Sequence, residues 1–230
     1  MTTIPGNLQH VRARIATACQ RAGRGVEEVT LLAVSKTFGA DAVRAAAAAG
    51  QRAFGENYIQ EGVEKIAALR DLGLMWHCIG PIQSNKTRLV AEHFDWVHTV
   101  DRLKIAERLS AQRPADRPPL NVCIQVNIDG GANKSGVAPG EALALARAVA
   151  ALPQLKLRGL MSIPEIAPDF EAARAVHAGA RALFDQLNAD GLGLDTLSMG
   201  MSDDLEAAIP AGSTMVRVGT AIFGSRAPKP

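Results

Sequence analysis

Nowhere in these 230 residues is there an apolar run near the roughly 20 residues that a membrane-crossing helix needs. The N-terminus, MTTIPGNLQHVRARIATACQ, lacks the apolar core of a secretory signal peptide. Charge of one sign is also scarce: 25 Lys and Arg face 23 Asp and Glu, a net charge of +2. That balance excludes a broad basic surface for nucleic acid or an anionic membrane, and no basic run is interleaved with aromatics. Cysteine is limited to Cys19, Cys78 and Cys123, scattered without disulfide or zinc-ligand spacing. They read as buried small hydrophobes in a reducing compartment, so a cytosolic location and no metal are expected. Internal repeats are absent. The one proline-rich stretch, ADRPPL (115–120), is short enough for a loop, so residues 1–230 are expected to form a single domain.

Apolar residues, by contrast, make up 47% of the chain, enough for a sizeable core. Leu8, Val11, Ile15, Ala18 and Cys19 share a helical face. After that helix, short β-prone runs alternate with helical patterns. The runs fall at 30–36, 52–57, 74–80, 95–100, 120–128, 156–163, 195–200 and 214–219. Helical spacing is legible at 41–49, 101–112 and 140–152, and behind Asp169, which predicts an N-cap over an apolar face of Phe170, Ala173, Val176, Ala180, Leu183, Phe184 and Leu187. Eight strands separated by helices point to a parallel α/β sheet. A doubly wound open sheet fits the alternation, but the count and the spread of polar residues over all the strand ends favour a (β/α)8 TIM barrel with an additional N-terminal helix.

Such a barrel gathers its strand ends at one mouth. The ends carry Lys36; Glu56, Asn57 and Tyr58; His77 and Ile79; His98; Asn127; Met161 and Ser162; Ser198, Met199, Gly200 and Ser202; and Arg217, Gly219 and Thr220. A lysine there is partly desolvated, which favours the neutral amine that attacks an aldehyde. Snorkelling to solvent is the plain alternative. LSMGMSDD and VRVGTAIFG supply glycine turns, hydroxyls and helix starts suited to a phosphate. Arg217 falls on the same strand face as Met215 and Gly219; its partner is a ligand atom, Glu56 or Asp203. His77 and His98 are ordinarily core histidines, and Lys86 and Lys134 solvated loop lysines. A lysine, a phosphate cradle and an arginine suit pyridoxal 5′-phosphate (PLP); a phosphosugar asks for the first two.

AVSKT, FGENYIQE, WHCIGPIQSNK, VNIDGGANKSG, LRGLMSIP, LSMGMSDDLEAAI and GSTMVRVGTAIFG resemble the pyridoxal phosphate homeostasis proteins, whose barrel is like the N-terminal domain of alanine racemase. The resemblance implies PLP as cofactor, Lys36 as its aldimine lysine, and Arg217 facing the pyridine nitrogen. It implies Asn57 near the ring, His77 and Ile79 on the barrel floor, and Ser198, Met199, Gly200, Ser202, Gly219 and Thr220 around the phosphate. Phe38 stands where some members carry Lys, and IDGGANKSG is glycine-rich where relatives often carry an acidic residue. An arginine at the nitrogen disfavours its protonation and makes the ring a weak electron sink. Racemisation needs acid–base groups on both faces of the substrate. Tyr58 makes no compelling second base, and the sequence ends soon after the eighth strand, at Pro230, so a second base from an extra β-domain is not expected. The expectation is a monomeric protein that buffers or delivers PLP, with apoenzymes as recipients. A racemase-like enzyme and a Schiff-base aldolase are the competing readings.

Overall fold

The computed structural model describes residues 3–131 and 135–225, so Lys134 and Arg226 lie outside it. The strands are β1 Thr30–Val34, β2 Ala53–Glu56, β3 Met75–Cys78, β4 Trp96–Val100, β5 Leu120–Gln125, β6 Leu155–Met161, β7 Thr196–Ser198 and β8 Met215–Val218. They pair in parallel, in chain order, and β8 closes on β1. The barrel is therefore as the alternation predicts. Its helices are α1 Ile4–Arg21, α2 Ala40–Ala48, α3 Ile59–Ala68, α4 Thr87–His93, α5 Leu103–Gln112, α6 Ala142–Ala150, α7 Phe170–Ala189, α8 Leu205–Ala208 and α9 Thr220–Phe223. None is long and apolar enough to cross a membrane.

α1 starts at Thr3, whose hydroxyl accepts from Gly6 N–H, and buries Leu8, Val11, Ile15, Ala18 and Cys19. It packs on α2, α8 and α9, at the side where the last unit meets the first. Asp169 caps α7 by accepting from Ala172 N–H. Phe170, however, is 49% exposed, and the buried face of α7 begins at His177.

Strand alternation gives the wall two different sides. Ala33, Phe54, Trp76, Val97, Val122, Leu160, Leu197 and Val216 point outward into the apolar layer under the helices. The register aligns Val34 with Gly55, Gly55 with His77 and His77 with Trp96 on the inner side. Leu32, Val34, Ile79 and Met215 form one inner cluster, and Trp96, Cys123 and Met161 another. The outer layer is thus largely hydrocarbon, interrupted by the buried Ser35, Glu56 and Lys65, whereas the inner column mixes apolar and polar groups throughout.

Apart from β4, which reaches Val100 as the sequence predicts, the strands end one to three residues before the runs in the sequence do. Lys36, Asn57, Gly80 and Asn127 all leave the ladder and form the mouth. Gly159 shows how tight the wall is: a Cβ there would lie 1.6 Å from Thr196 O. Gly159→Ala should destabilise the fold by about 3 kcal/mol or more in urea titration; a midpoint equal to that of the parent would contradict this packing.

Candidate functional site

β1 ends where Ser35 N–H donates to Gly55 O (3.0 Å). Phe38 N–H then donates to Ser35 O (3.1 Å), closing a turn with Lys36 and Thr37 at its corners. Thr37 has φ 70°, left-handed backbone that costs a β-branched residue of order 1–3 kcal/mol. Lys36 is half-buried there, two residues beyond the inward-facing Val34. Ser35 faces the other way. Its hydroxyl donates to Glu56 Oε1 (2.6 Å), which also accepts from Lys65 Nζ (2.8 Å). Lys65 donates as well to Ser35 O (2.8 Å) and Glu61 Oε1 (2.6 Å), and Glu61 Oε1 accepts from Thr37 N–H (2.7 Å). Burial pushes the Glu56 carboxyl above its ordinary value, against the opposing hydrogen bonds from Lys65 and Ser35.

Inside the barrel, Arg217 is buried and among the described residues forms no salt bridge. Glu56, one expected partner, is engaged outside the wall by Lys65, and Asp203, the other, is an exposed loop residue. Arg217 instead donates from Nη1 to Ser198 O (2.7 Å) and Oγ (2.8 Å), and from Nη2 to Ser162 O (2.8 Å). Burial lowers its pKa to about 10, so it stays cationic at neutral pH. The chain of contacts continues from Ser198 Oγ to His98 Nδ1 (2.9 Å) and from His98 Nε2 to His77 Nδ1 (2.9 Å). An arginine only donates, so Ser198 Oγ accepts from it, and His98 and His77 extend the contact across the barrel interior. Burial holds both imidazoles neutral: His77 falls to about 3 and His98 goes well below its ordinary value. His77 also stacks on Trp96, with ring centroids 5.1 Å apart.

Ser198 therefore spends its hydroxyl inside the barrel rather than on the rim. Met199 is fully buried in the outer layer, so its side chain is core and only its backbone belongs to the loop. Gly200 has φ 94°, and a Cβ there would sit 2.5 Å from Ala208 Cβ; its carbonyl accepts from Arg217 N–H (2.9 Å). Met201 N–H donates to Asp204 Oδ1 (2.6 Å), while Asp204 Oδ2 pairs with the buried His177 Nε2 (2.9 Å). Arg14 on α1 donates to Ser202 O (2.8 Å), bracing the same loop from behind. Gly219 opens α9 against β1: a Cβ there would lie 3.2 Å from Val34 O. The loop after β8 thus abuts the strand end that carries Lys36, with the loop after β7 one strand further round, and Thr220 is exposed on that rim. Across the mouth, Gly80 approaches so closely that a Cβ would lie 2.1 Å from Asn57 O, and Ile79 is buried beside Val34. Lys86 is half-buried in a 3-10 turn.

Comparison with known proteins agrees with this architecture. The family described as alanine racemase, N-terminal domain, matches residues 6–227. The pyridoxal phosphate homeostasis protein of Pseudomonas aeruginosa is 63% identical, over 98% of this chain and 97% of its own length. The chain belongs to the pyridoxal phosphate homeostasis protein family. Among solved structures, PipY of Synechococcus elongatus, solved with PLP bound, superposes with a TM-score of 0.81 at 39% identity, over 93% of this chain and 100% of PipY. An alanine racemase of Clostridium difficile shares the fold alone, with a TM-score of 0.71 at 18% identity, over 97% of this chain and 57% of the racemase.

Whether this family member's residues suit the cofactor of its relative is testable on its own polar atoms. Asn57 Oδ1, Asn127 Oδ1 and Ser162 Oγ are buried without a hydrogen-bond partner, each just past the end of a different strand. Buried polar groups are ordinarily paired, and three orphans around one mouth fit a polar ligand seated among them. Asn127 and Ser162 were legible as strand-end residues only. Ser35, Glu56, Lys65 and His177 gave less signal, since α3 buries Gly62 and Lys65 where an apolar stripe would have announced a buried face. His98 reads as a core histidine from its strand, yet it links His77 to Ser198.

The neutral histidines predict a pH dependence. Both pKa values are depressed on folding, so the unfolded chain takes up more protons below the ordinary value of 6.5. Stability should be full above pH 6.5 and fall towards pH 5, with each histidine contributing a slope approaching ~1.4 kcal/mol per pH unit. His77→Gln should flatten that slope in urea titrations. A profile that is level from pH 7 to 5 in the parent would contradict burial of neutral rings.

Proposed function

We propose that this chain binds PLP at the barrel mouth, holding it as a Schiff base with Lys36, and that it buffers and hands on the cofactor without turnover of its own. The observation that carries the reading is the pairing of a half-buried lysine, just past the inner face of β1, with a buried guanidinium that has no carboxylate partner among the described residues. PLP carries its aldehyde and phosphate on neighbouring ring carbons, with the nitrogen across the ring from the aldehyde. The arrangement of this mouth matches. Lys36 stands beside the loop after β8, with the loop after β7 one strand further round, and Arg217 lies deeper, on the β8 face. Gly200, Ser202, Gly219 and Thr220 offer backbone N–H groups and hydroxyls to the phosphate. Asn57 and Ile79 border the ring, while Ser198 and His77 act from beneath through Arg217.

Capture joins an uncharged amine to an aldehyde and releases water, and the reverse step returns the cofactor. Two features support the absence of turnover. Arg217 remains cationic and disfavours a proton on the ring nitrogen, weakening the electron sink. His77 and His98 are enclosed below the mouth and held neutral, away from the faces of a bound substrate. The reading includes a cytosolic monomer that serves apoenzymes needing PLP. The three cysteines, buried and free, suit a reducing compartment.

Mixing the protein with PLP should produce the absorption band of a protonated Schiff base, and Lys36→Ala should abolish it while leaving the thermal midpoint close to that of the parent. A band of equal strength in the folded variant would overturn the assignment. Exchange of the α-hydrogen of an added amino acid with deuterated water would overturn the no-turnover part.

A further inference from the structure

We propose that Lys65 and Glu61 are positioning residues for Lys36, acting through the backbone on either side of it. The inference rests on Lys36 being the anchor of the cofactor. A lysine side chain has four flexible carbons, so its amine is aimed only as well as the backbone beneath it is fixed. The turn that carries Lys36 is weak by itself. It closes with one hydrogen bond of 3.1 Å and places Thr37 at φ 70°, a position that a type II turn ordinarily gives to glycine. Relaxation of Thr37 to an extended conformation would redirect Lys36.

Two groups from outside the barrel oppose that relaxation. Lys65 Nζ holds Ser35 O on one side of Lys36, and Glu61 Oε1 holds Thr37 N–H on the other. The two are joined by their own 2.6 Å ion pair. The third donor of Lys65 goes to Glu56, which fixes Ser35 again through its hydroxyl. An ammonium has three protons, and here each has an acceptor, so the buried charge is fully satisfied. Room for this comes from Gly62, one turn earlier on α3: a Cβ there would lie 2.6 Å from Phe94 Cζ and 3.3 Å from Glu56 Cβ. Lys65 lies outside the wall, between β2 and α3, so it touches the turn and not the inside of the mouth.

Glu61→Ala separates positioning from folding, because the Glu61 side chain is 30% exposed and Lys65 keeps Glu56 and Ser35. Three readouts are taken: the thermal midpoint, hydrogen exchange of the Thr37 amide without cofactor, and the dissociation constant for pyridoxal, which lacks the phosphate and so weights the lysine step. The expected result is a folded variant in which Thr37 exchanges at least tenfold faster and pyridoxal binds at least tenfold more weakly. Glu61→Gln, which keeps an oxygen for Thr37 N–H, should restore most of both, and Glu64→Ala should match the parent. Lys65→Gln is read the same way. Unchanged pyridoxal binding in folded Glu61→Ala, or unchanged Thr37 exchange, would overturn the proposal. Loss of folding in both variants would assign the pair to stability alone and overturn it too. A parent protein that captures neither pyridoxal nor PLP removes the cofactor reading itself, while the exchange arm still reads the clamp.

Discussion

A guanidinium inside a closed barrel has to be satisfied without water, and the inner wall of this protein is arranged around that demand. Arg217 reaches two carbonyls and a hydroxyl and stays charged, and from Ser198 the contacts run on to His98 and His77. One cation thus anchors a chain of side chains from β8, β7, β4 and β3. Neutral imidazoles are the natural neighbours for such a charge, because a second cation would be repelled in a low-dielectric interior. In the proposed reading the fixed cation also sets the character of the site. It favours binding over carbanion chemistry, since a ring nitrogen beside it stays unprotonated.

The two sides of the wall divide the labour. In the proposed reading the inner face carries the groups that meet PLP, and the outer face carries the carboxylates and the ammonium that hold the strand end still. Ser35 points out and Lys36 comes next in the chain, so a network on one side of the barrel reaches a residue on the other through a single turn. The loop after β7 is built likewise: His177 and Arg14 brace it from α7 and α1 through Asp204 and Ser202. Both rims of the proposed site are therefore stiffened from behind by helices.

The barrel was legible because its signals are local and repeated: eight β-prone runs with helical spacing between several of them. The mouth was legible because several runs ended in residues that a buried strand does not want, Lys36, Asn57, Gly80, Gly200 and Gly219 among them, and the strands stop just short of these. The inner hydrogen-bond chain was not legible, since it joins positions 77, 98, 198 and 217, which only the closed register brings together. Glu56 and Asp203 were the carboxylates expected for Arg217 because charge suggests charge; oxygens of Ser198 and Ser162 take their place. Met199 reads from the sequence as a packing contact against the ligand or as plain core, and the alternation along β7 sends its side chain into the outer core. Lys65 gave no signal because a lysine four residues after a glutamate on a helix reads as an exposed pair.

The central claim is that one amine, on residue 36, takes the aldehyde. Borohydride reduction of the PLP-loaded protein, followed by peptide mapping, tests it most directly. The account predicts a pyridoxyl group on Lys36 in near-stoichiometric yield. A label on Lys65 or Lys86 instead, or no label at all, would contradict it.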